Sequence, residues 1–186
     1  NIHISAQLIQ VGAETNPDNF AQYITDIQKD GDSIGGVVEC TITGLPVGVG
    51  EPIFDKLQSH LAYAMMSINA CKGFEYGSGF SGVALKGSEM YLSDDSQLIS
   101  GGIAGGISDG TPLVFRCVFK PTASNRKTFE ALYSQPLELF EPLKPLERPS
   151  GLKLGRHDAC IAVRAVAVVE AMAALVLQDF LTALNS

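Results

Sequence analysis

The chain has 186 residues, of which 46% are hydrophobic and 18% are charged, a balance that excludes disorder and suffices for one domain with its own core. A formal net charge of -7 argues against DNA or an anionic membrane as the default partner, because both are polyanions. A small anionic ligand is not excluded, since a few local Lys and Arg side chains act at short range.

The first quarter of the chain predicts a strand, a helix and a second strand. Polar and apolar side chains alternate over residues 1–11, which is typical of a half-buried strand. Asn16 and Pro17 supply an N-cap and a first-turn proline for a helix, which Gly31 is expected to end. Alternation returns over residues 33–44 and predicts another half-buried strand.

A second helix and a glycine-rich region follow. We expect the helix to have Pro52 near its start and an apolar stripe at helical spacing, formed by Phe54, Leu57, Leu61, Met65 and Ile68. Three aromatic residues then stand among glycines, ahead of a polar loop around residues 94–96. The glycine-rich stretch at residues 100–110 leads into a predicted strand over residues 112–120, with one apolar face.

The last third predicts an irregular segment and one long helix. Residues 125–154 are rich in proline and mixed charge and indicate a surface excursion, with a short helical candidate at residues 127–132. The helix at residues 159–184 is apolar nearly all round, so we expect other elements to cover it on several sides, as between two sheets. Half-buried strands with such a helix predict an α+β sandwich.

The sequence predicts neither a membrane span nor a metal site. Arg164 and Glu170 interrupt the most apolar stretch, which leaves an uncharged run far shorter than the roughly 20 residues of a span. No CxxC pair or Cys/His cluster occurs among the four cysteines, which are Cys40, Cys71, Cys117 and Cys160. We therefore expect reduced, buried thiols in a soluble, cytoplasmic protein.

Half of residues 101–110 are glycines, which allow a backbone to approach a ligand closely or to adopt positive φ. No GK[ST] motif follows, so the stretch is neither a P-loop nor a dinucleotide fingerprint. On these residues alone, tight turns explain the glycines better than ligand contact does.

The segment at residues 120–124 combines a cation, hydroxyl groups and backbone N–H groups where a strand ends. This set suits a phosphate. An ordinary strand end with solvated polar residues is the alternative, and it is favoured on these residues alone.

Three polar residues stand near helix ends. Asn69 either hydrogen-bonds a ligand or caps the helix, and capping is the simpler interpretation. At the start of the long helix, Arg156 and Asp158 form either an anion-binding and acid/base pair or a surface partner and an N-cap. Both interpretations of this pair stay open.

Four runs of the sequence resemble chorismate synthases closely and occur in that family's order. They are GVGEPIFDKLQSHLAYAMMSINACKGFEYGSGF at residues 48–80, GGIAGGISDG at residues 101–110, KPTAS at residues 120–124 and GRHDACIAVRAVAVVEAMAALVLQDFL at residues 155–181. The resemblance implies a β-α-β sandwich of mostly antiparallel sheets with helices packed between them. Residues 1–186 would then be the C-terminal half of a single domain of this family.

The resemblance also implies a reaction, the anti-1,4-elimination of phosphate from 5-enolpyruvylshikimate-3-phosphate to give chorismate in the shikimate pathway. The family's enzymes are carbon–oxygen lyases acting on phosphates, and they require reduced FMN although the reaction is redox neutral overall. A homotetramer without nucleic-acid or membrane partners is implied. Whether the enzyme reduces its flavin itself with NADPH or relies on a separate reductase stays open.

By the same resemblance, the flavin contacts fall on Asn69, Ala70, Gly105, Lys120, Pro121, Thr122, Ala123, Ser124 and Arg156. Asp158 is the candidate for handling a proton near flavin N5, and Arg156 would also meet the anionic substrate. The family's two acid/base histidines belong to an N-terminal half. Because this chain opens within a strand and without Met, we expect it to be a fragment with little or no turnover alone.

The chain departs from the family pattern at a few positions. GRHDPC reads GRHDAC with Ala159, RAVPVVE reads RAVAVVE with Ala167, and KPTSSI reads KPTASN at residues 120–125. Of these changes, only Ala123 touches a residue with an implied role, and it removes one candidate hydroxyl.

Two other functions were weighed against the lyase. A non-catalytic flavin- or nucleotide-binding module is the first, and an upstream sequence with GESHG-like and RSSAR-like runs would favour the enzyme over it. A metal-dependent hydrolase built on Asp94, Asp95 and Asp109 is weaker, because these residues lack ligand spacing.

Overall fold

The computed structural model of the chain describes residues 1–92, 99–134 and 158–184. The strands are β1 His3–Val11, β2 Gly36–Thr43, β3 Cys71–Tyr76, β4 Ile103–Ala104, β5 Ile107–Ser108 and β6 Leu113–Phe119. The helices are α1 Pro17–Lys29, α2 Leu57–Met66, α3 Gly87–Leu92, α4 Arg126–Ser134 and α5 Ala162–Leu184, with a 3-10 helix at Gly79–Ala84. β1, β2, β6 and β3 form, in that order, an antiparallel sheet, while β4 and β5 form a separate hairpin.

The first three elements confirm the predictions for the start of the chain. The Asn16 side chain caps α1 by accepting the Asp18 N–H at 3.2 Å. Gly31 follows the helix with a φ of +73°, which glycine adopts without steric cost. The helix therefore begins and ends where its sequence signals indicated.

The centre of the sheet, formed by β2 and β6, supplies several of the largest fully buried side chains of the core. Cys40 lies opposite Phe115 across the two strands, and both side chains are fully buried. On the other face of the sheet, Glu39 lies opposite Arg116. The alternation predicted for both strands is confirmed.

The second helix begins later than predicted. α2 starts at Leu57, beyond Pro52, and the Leu57 N–H donates to the Gly106 carbonyl at 2.9 Å. This contact with the β4–β5 hairpin satisfies one of the N–H groups that a helix start leaves unpaired. Phe54, predicted to lie on the buried stripe, therefore precedes the helix and is 89% exposed.

β3 and the following 3-10 helix were not predicted. β3 is an edge strand whose pairing with β6 shifts between Cys71 and Gly73. Such a bulge interrupts the two-residue period by which a strand is recognised in a sequence. Phe74 and Tyr76 belong to this strand, and Phe80 belongs to the 3-10 helix.

The long helix α5 is covered on one side among the described residues. Its buried side chains pack against β1, β2 and α2, and they are Ala162, Ala165, Val169, Ala173 and Leu177. The opposite side exposes Val163, Val168 and Leu175, the last to 65%. The sequence predicted that α5 is covered on several sides. The described residues cover it on one side.

By length and composition, α5 is the one helix of the described residues that is long and apolar enough to cross a membrane. The two charges at Arg164 and Glu170 were predicted to exclude a membrane span. By this criterion they do not exclude one. We interpret α5 as a core helix, because one side is buried and Glu170 accepts the backbone N–H of Ala6 in β1 at 2.7 Å.

Two predicted surface regions fall partly or wholly outside the described residues. α4 confirms the helical candidate at residues 127–132. The remainder of the predicted excursion, residues 135–154, and the predicted polar loop at residues 94–96 lie outside. The assignment of residues 125–154 to a surface excursion stays a prediction.

All four cysteines are free and buried, as predicted for Cys40 and Cys117. Burial, with a smaller contribution from Glu170, raises the pKa of the Cys40 thiol to about 12. Burial also raises the pKa of the Cys117 and Cys160 thiols. These thiols stay protonated in the folded chain at a pH where they ionise in the unfolded chain.

We therefore expect the free energy of unfolding to fall as the pH rises above 9.0, the ordinary thiol value, because the folded state then binds more protons than the unfolded state. Each such thiol contributes about 1.4 kcal/mol per pH unit. Urea unfolding at about pH 8 and about pH 10 measures the fall, which should be about 1.4 kcal/mol smaller in Cys40→Ala. Equal falls in Cys40→Ala and the parent would contradict this assignment.

Candidate functional site

The loop at residues 120–124, called the Lys120 loop below, lies where β6 leaves the sheet beside the end of α2. The Lys120 N–H donates to the Ala70 carbonyl at 3.0 Å. Ala70 adopts a φ of +69°, which non-glycine residues rarely do, so the turn that contains Asn69 has a specific conformation. The contact brings the predicted Asn69–Ala70 pair against the first residue of the loop.

The same loop contacts the segment that leads into α5. Thr122 Oγ1 donates to the Asp158 carbonyl at 3.0 Å. The Ile34 N–H donates to the Ala159 carbonyl at 2.7 Å and holds that segment against the residues before β2. Predicted site residues from three separate segments thus lie together.

The structure excludes the interpretation of Asp158 as a helix N-cap. α5 begins at Ala162, so Asp158 is not its N-cap. Its carboxylate instead pairs with Arg164 at 2.8 Å and is 23% exposed. The acid/base role of Asp158 stays a prediction, and Arg156 lies outside the described residues.

Arg164 was missed as a site residue at the sequence level. It lies six positions after Asp158, a spacing that matches neither the i+3 nor the i+4 neighbours of a helix. The pair forms because the chain turns between Asp158 and the start of α5. Only the position of that helix start could have revealed it.

The Lys120 loop presents the groups that suit an anion. Lys120, Pro121, Ala123 and Ser124 are exposed, whereas Thr122 is half-buried. An ammonium group, a hydroxyl and backbone N–H groups are the donors that commonly bind phosphate. The chemistry of these donors fits the phosphate of a mononucleotide.

A cavity of about 920 Å³ lies near the start of α2. Its walls come from α2, β3, the 3-10 helix and the β4–β5 hairpin. Its apolar lining includes Phe74, Tyr76, Phe80 and Met90. Glu75 and Asp109 contribute carboxylates, and the described lining contains no Lys or Arg. The cavity therefore suits an uncharged, largely apolar group better than a phosphate.

Gly105 lines this cavity at the turn between β4 and β5. Its φ is +63°, and a Cβ built there would meet nothing within 4 Å. By contrast, a Cβ on Gly101 would lie 2.4 Å from the Gly77 backbone nitrogen. The tight-turn interpretation is thus confirmed for Gly101, whereas ligand contact at Gly105 stays a prediction.

The β4–β5 hairpin and the Lys120 loop lie at opposite ends of α2. The hairpin contacts Leu57, the first residue of the helix, whereas the Lys120 loop contacts Ala70, which follows the last turn. The 10 residues of α2 span about 15 Å. The resemblance placed Gly105, the Lys120 loop and Asp158 in one flavin site, but of these only the Lys120 loop and Asp158 lie in direct contact.

One exposed side of α2 leads from the cavity towards the Lys120 loop. Ser59 and Ala62 line the cavity, and Met66 follows on the same side of α2 at helical spacing, whereas Asn69 lies in the turn after the helix. Met66 is 48% exposed. Of the predicted flavin contacts that the structure describes, only Gly105 lines the cavity.

Arg116 supports the wall of the cavity opposite α2. Its Nε donates to Glu39 at 2.9 Å, and one terminal nitrogen donates to Glu75 and to the Gly77 carbonyl, each at 3.1 Å. Glu75 in turn accepts the Phe80 N–H at 3.1 Å. This cross-strand network fixes the turn that carries Phe80, a role that the sequence gave no reason to assign.

The hydrolase hypothesis gains no support. In residues 1–92, 99–134 and 158–184, no three His, Cys, Asp or Glu side chains are arranged to hold a metal ion. Asp109 accepts the Thr111 N–H and hydroxyl at 2.9 and 2.6 Å, as a turn residue does. Asp94 and Asp95 lie outside the described residues.

Fold and site together define an α+β domain with an anion-suited loop at one end of a helix and an apolar cavity at the other. A family model described as chorismate synthase matches residues 2–182. The chain therefore belongs to the chorismate synthase family, which confirms the resemblance found in the sequence.

Individual relatives agree with this assignment. The chorismate synthase of Christiangramia forsetii is 47% identical over 163 residues, covering 85% of this chain and 43% of the relative. That of Cytophaga hutchinsonii is 42% identical over 213 residues, covering 97% of this chain and 56% of the relative. The chain spans about half the length of the curated relatives that it matches.

A solved structure titled "Crystal Structure of Chorismate Synthase" matches with a TM-score of 0.70 and 24% sequence identity. The match covers 97% of this chain and 57% of that chain. At this identity, the match supports the α+β fold and carries no statement about individual residues.

Proposed function

We propose that the chain forms the flavin-binding half of a chorismate synthase, which eliminates phosphate from 5-enolpyruvylshikimate-3-phosphate. The observation that carries the proposal is the contact between Ala70, the Lys120 loop and the Asp158 segment in a chain of the chorismate synthase family. Each of these segments contributes residues that the resemblance to the family assigned to one flavin site.

The residues present fit FMN. Lys120, Ser124 and the loop N–H groups would hold its phosphate, and the apolar cavity beside Gly105 would accept its ring system. In its reduced form, FMN supplies an electron that the redox-neutral elimination uses transiently and returns. Arg156 completes the proposed contacts.

The chain's own residues would act on charge and protons. Loss of phosphate is favoured by positive charge and N–H donors directed at the developing negative charge, and Lys120 would supply part of both. Asp158 would hold or move a proton at its carboxylate, and its ion pair with Arg164 orients that carboxylate. The substrate carries more negative charge than Lys120 balances, so further cations must come from the rest of the protein.

The setting of the enzyme is part of the proposal. A net charge of -7 supports a protein without nucleic-acid or membrane partners. Four free, buried cysteines support a cytoplasmic location. The exposed apolar side of α5 supports burial of this helix in a larger assembly, such as a homotetramer.

Titration of the chain with oxidised FMN, followed by quenching of flavin fluorescence, tests the cofactor site. We expect Lys120→Ala to weaken binding at least about tenfold, because a hydrogen bond to a charged group contributes about 1.5–3 kcal/mol. Lys29→Ala is the matched control, since Lys29 is an exposed cation on α1 that pairs with Asp26. Equal affinities in Lys120→Ala and Lys29→Ala would refute the assignment of the loop.

A further inference from the structure

Two polar residues, Asn125 and Ser33, are buried beneath the Lys120 loop, with exposed fractions of 4% and 8%. A buried amide or hydroxyl destabilises a fold unless its donors and acceptors find partners. The contacts of these two side chains therefore show what they stabilise.

The contacts converge on one carbonyl group of the loop. Asn125 Nδ2 donates to the Thr122 carbonyl at 3.0 Å and to Ser33 Oγ at 3.1 Å. Ser33 Oγ donates to the same carbonyl at 2.6 Å. Asn125 Oδ1 accepts the Thr128 N–H at 2.8 Å.

These partners fix the orientation of the Asn125 amide. A backbone N–H is only a donor and a backbone carbonyl only an acceptor, so Oδ1 must face Thr128 and Nδ2 must face Thr122. One side chain therefore holds the loop with its nitrogen and caps the start of α4 with its oxygen.

The loop is consequently held at its first residue and at its middle. Lys120 is fixed by Ala70, and Thr122 is fixed through its carbonyl and through its hydroxyl, which donates to Asp158. The Lys120 and Ser124 side chains remain exposed. A loop already ordered in this way does not have to be ordered when a ligand binds.

We infer that Asn125 is a positioning residue, with Ser33 as its relay, which holds the Lys120 loop in the conformation that receives the phosphate of the flavin. The inference rests on the proposed function, which gives the loop its ligand. The KPTSSI pattern of the family has isoleucine at this position, and an isoleucine could not donate to Thr122.

Two variants separate the support of the loop from the capping of α4. Asn125→Asp retains an acceptor for Thr128 but replaces the donor to Thr122 with a carboxylate oxygen, and Ser33→Ala removes the second donor. Ile42→Val is the control, since Ile42 is a fully buried residue at the far end of β2 from Ser33 and its truncation destabilises the core without touching the loop. All three are made in the full 186-residue chain.

Hydrogen exchange of the amides of residues 122–124 and titration with oxidised FMN are measured on each variant. We expect faster exchange in the loop and about tenfold weaker FMN binding in Asn125→Asp and Ser33→Ala. Ile42→Val should lower the midpoint of thermal unfolding but retain the exchange and the affinity of the parent.

Unchanged loop exchange in Asn125→Asp would overturn the inference. So would FMN affinities in Asn125→Asp and Ser33→Ala that match that of Ile42→Val, because the network would then serve stability alone. A parent chain that binds no FMN is a different result, since it contradicts the proposed function and the inference falls with it.

Discussion

Gly101→Ala is expected to lower the free energy of unfolding by about 3 kcal/mol or more. Gly101 has a φ of +66°, and an added Cβ would lie 2.4 Å from the nitrogen and 2.6 Å from the Cα of Gly77. Both are backbone atoms that cannot rotate away. The hydrogen bonds that join Gly77 and Gly101 to Val114 hold them in place, so relief of the clash would disrupt the start of β6.

Gly105→Ala is the matched control, because it has a similar φ of +63° but open space around the added Cβ. It should cost about 1–2 kcal/mol, the strain of a left-handed residue alone. Urea unfolding measures both variants, and FMN titration of folded Gly105→Ala should show weaker binding because its methyl group enters the cavity. Similar stabilities of the two variants would contradict the expected clash with the Gly77 backbone.

The parts of the fold that were predicted correctly are those in which a local pattern and tertiary burial agree. β2 and β6 lie at the centre of the sheet, so one face of each is buried along its whole length and the two-residue period is complete. α1 carries its own N-cap and a terminal glycine. No distant contact was needed to define these elements.

The errors occur where a distant contact decides the local structure. The start of α2 is set by the Gly106 carbonyl, which is far away in sequence, so Phe54 was wrongly placed on the helix. β3 pairs on one side only and contains a bulge, so its alternation is incomplete.

The same distinction applies to the candidate site, of which one part could be predicted from the sequence and another could not. The resemblance to the family selected Ala70, the Lys120 loop and Asp158, which lie in contact. It could not give the distance to Gly105, because that distance depends on where α2 begins. The support from Ser33 and Asn125 joins residues 92 positions apart, and no spacing rule relates them.

The second large effect is expected for Phe115→Ala, which should lower the free energy of unfolding by about 3–5 kcal/mol. Phe115 is fully buried in β6, between Cys40 of β2 and Tyr76 of β3. Deletion of its ring leaves a cavity that the rigid centre of a sheet cannot fill. For a chain of this size, the midpoint of thermal unfolding should fall by roughly 10 °C.

The same variant tests whether the core supports the site. The Phe115 ring lies 5.4 Å from the ring of Phe74, and Phe74 lines the cavity. Weaker FMN binding should therefore accompany the loss of stability, measured below the unfolding transition. Val118→Ala is the control on the opposite face of β6, where the side chain is 42% exposed, and it should change stability by about 0.5 kcal/mol or less. Unchanged FMN affinity in folded Phe115→Ala would separate the cavity from the flavin site, because the ring that supports Phe74 would then be irrelevant to binding.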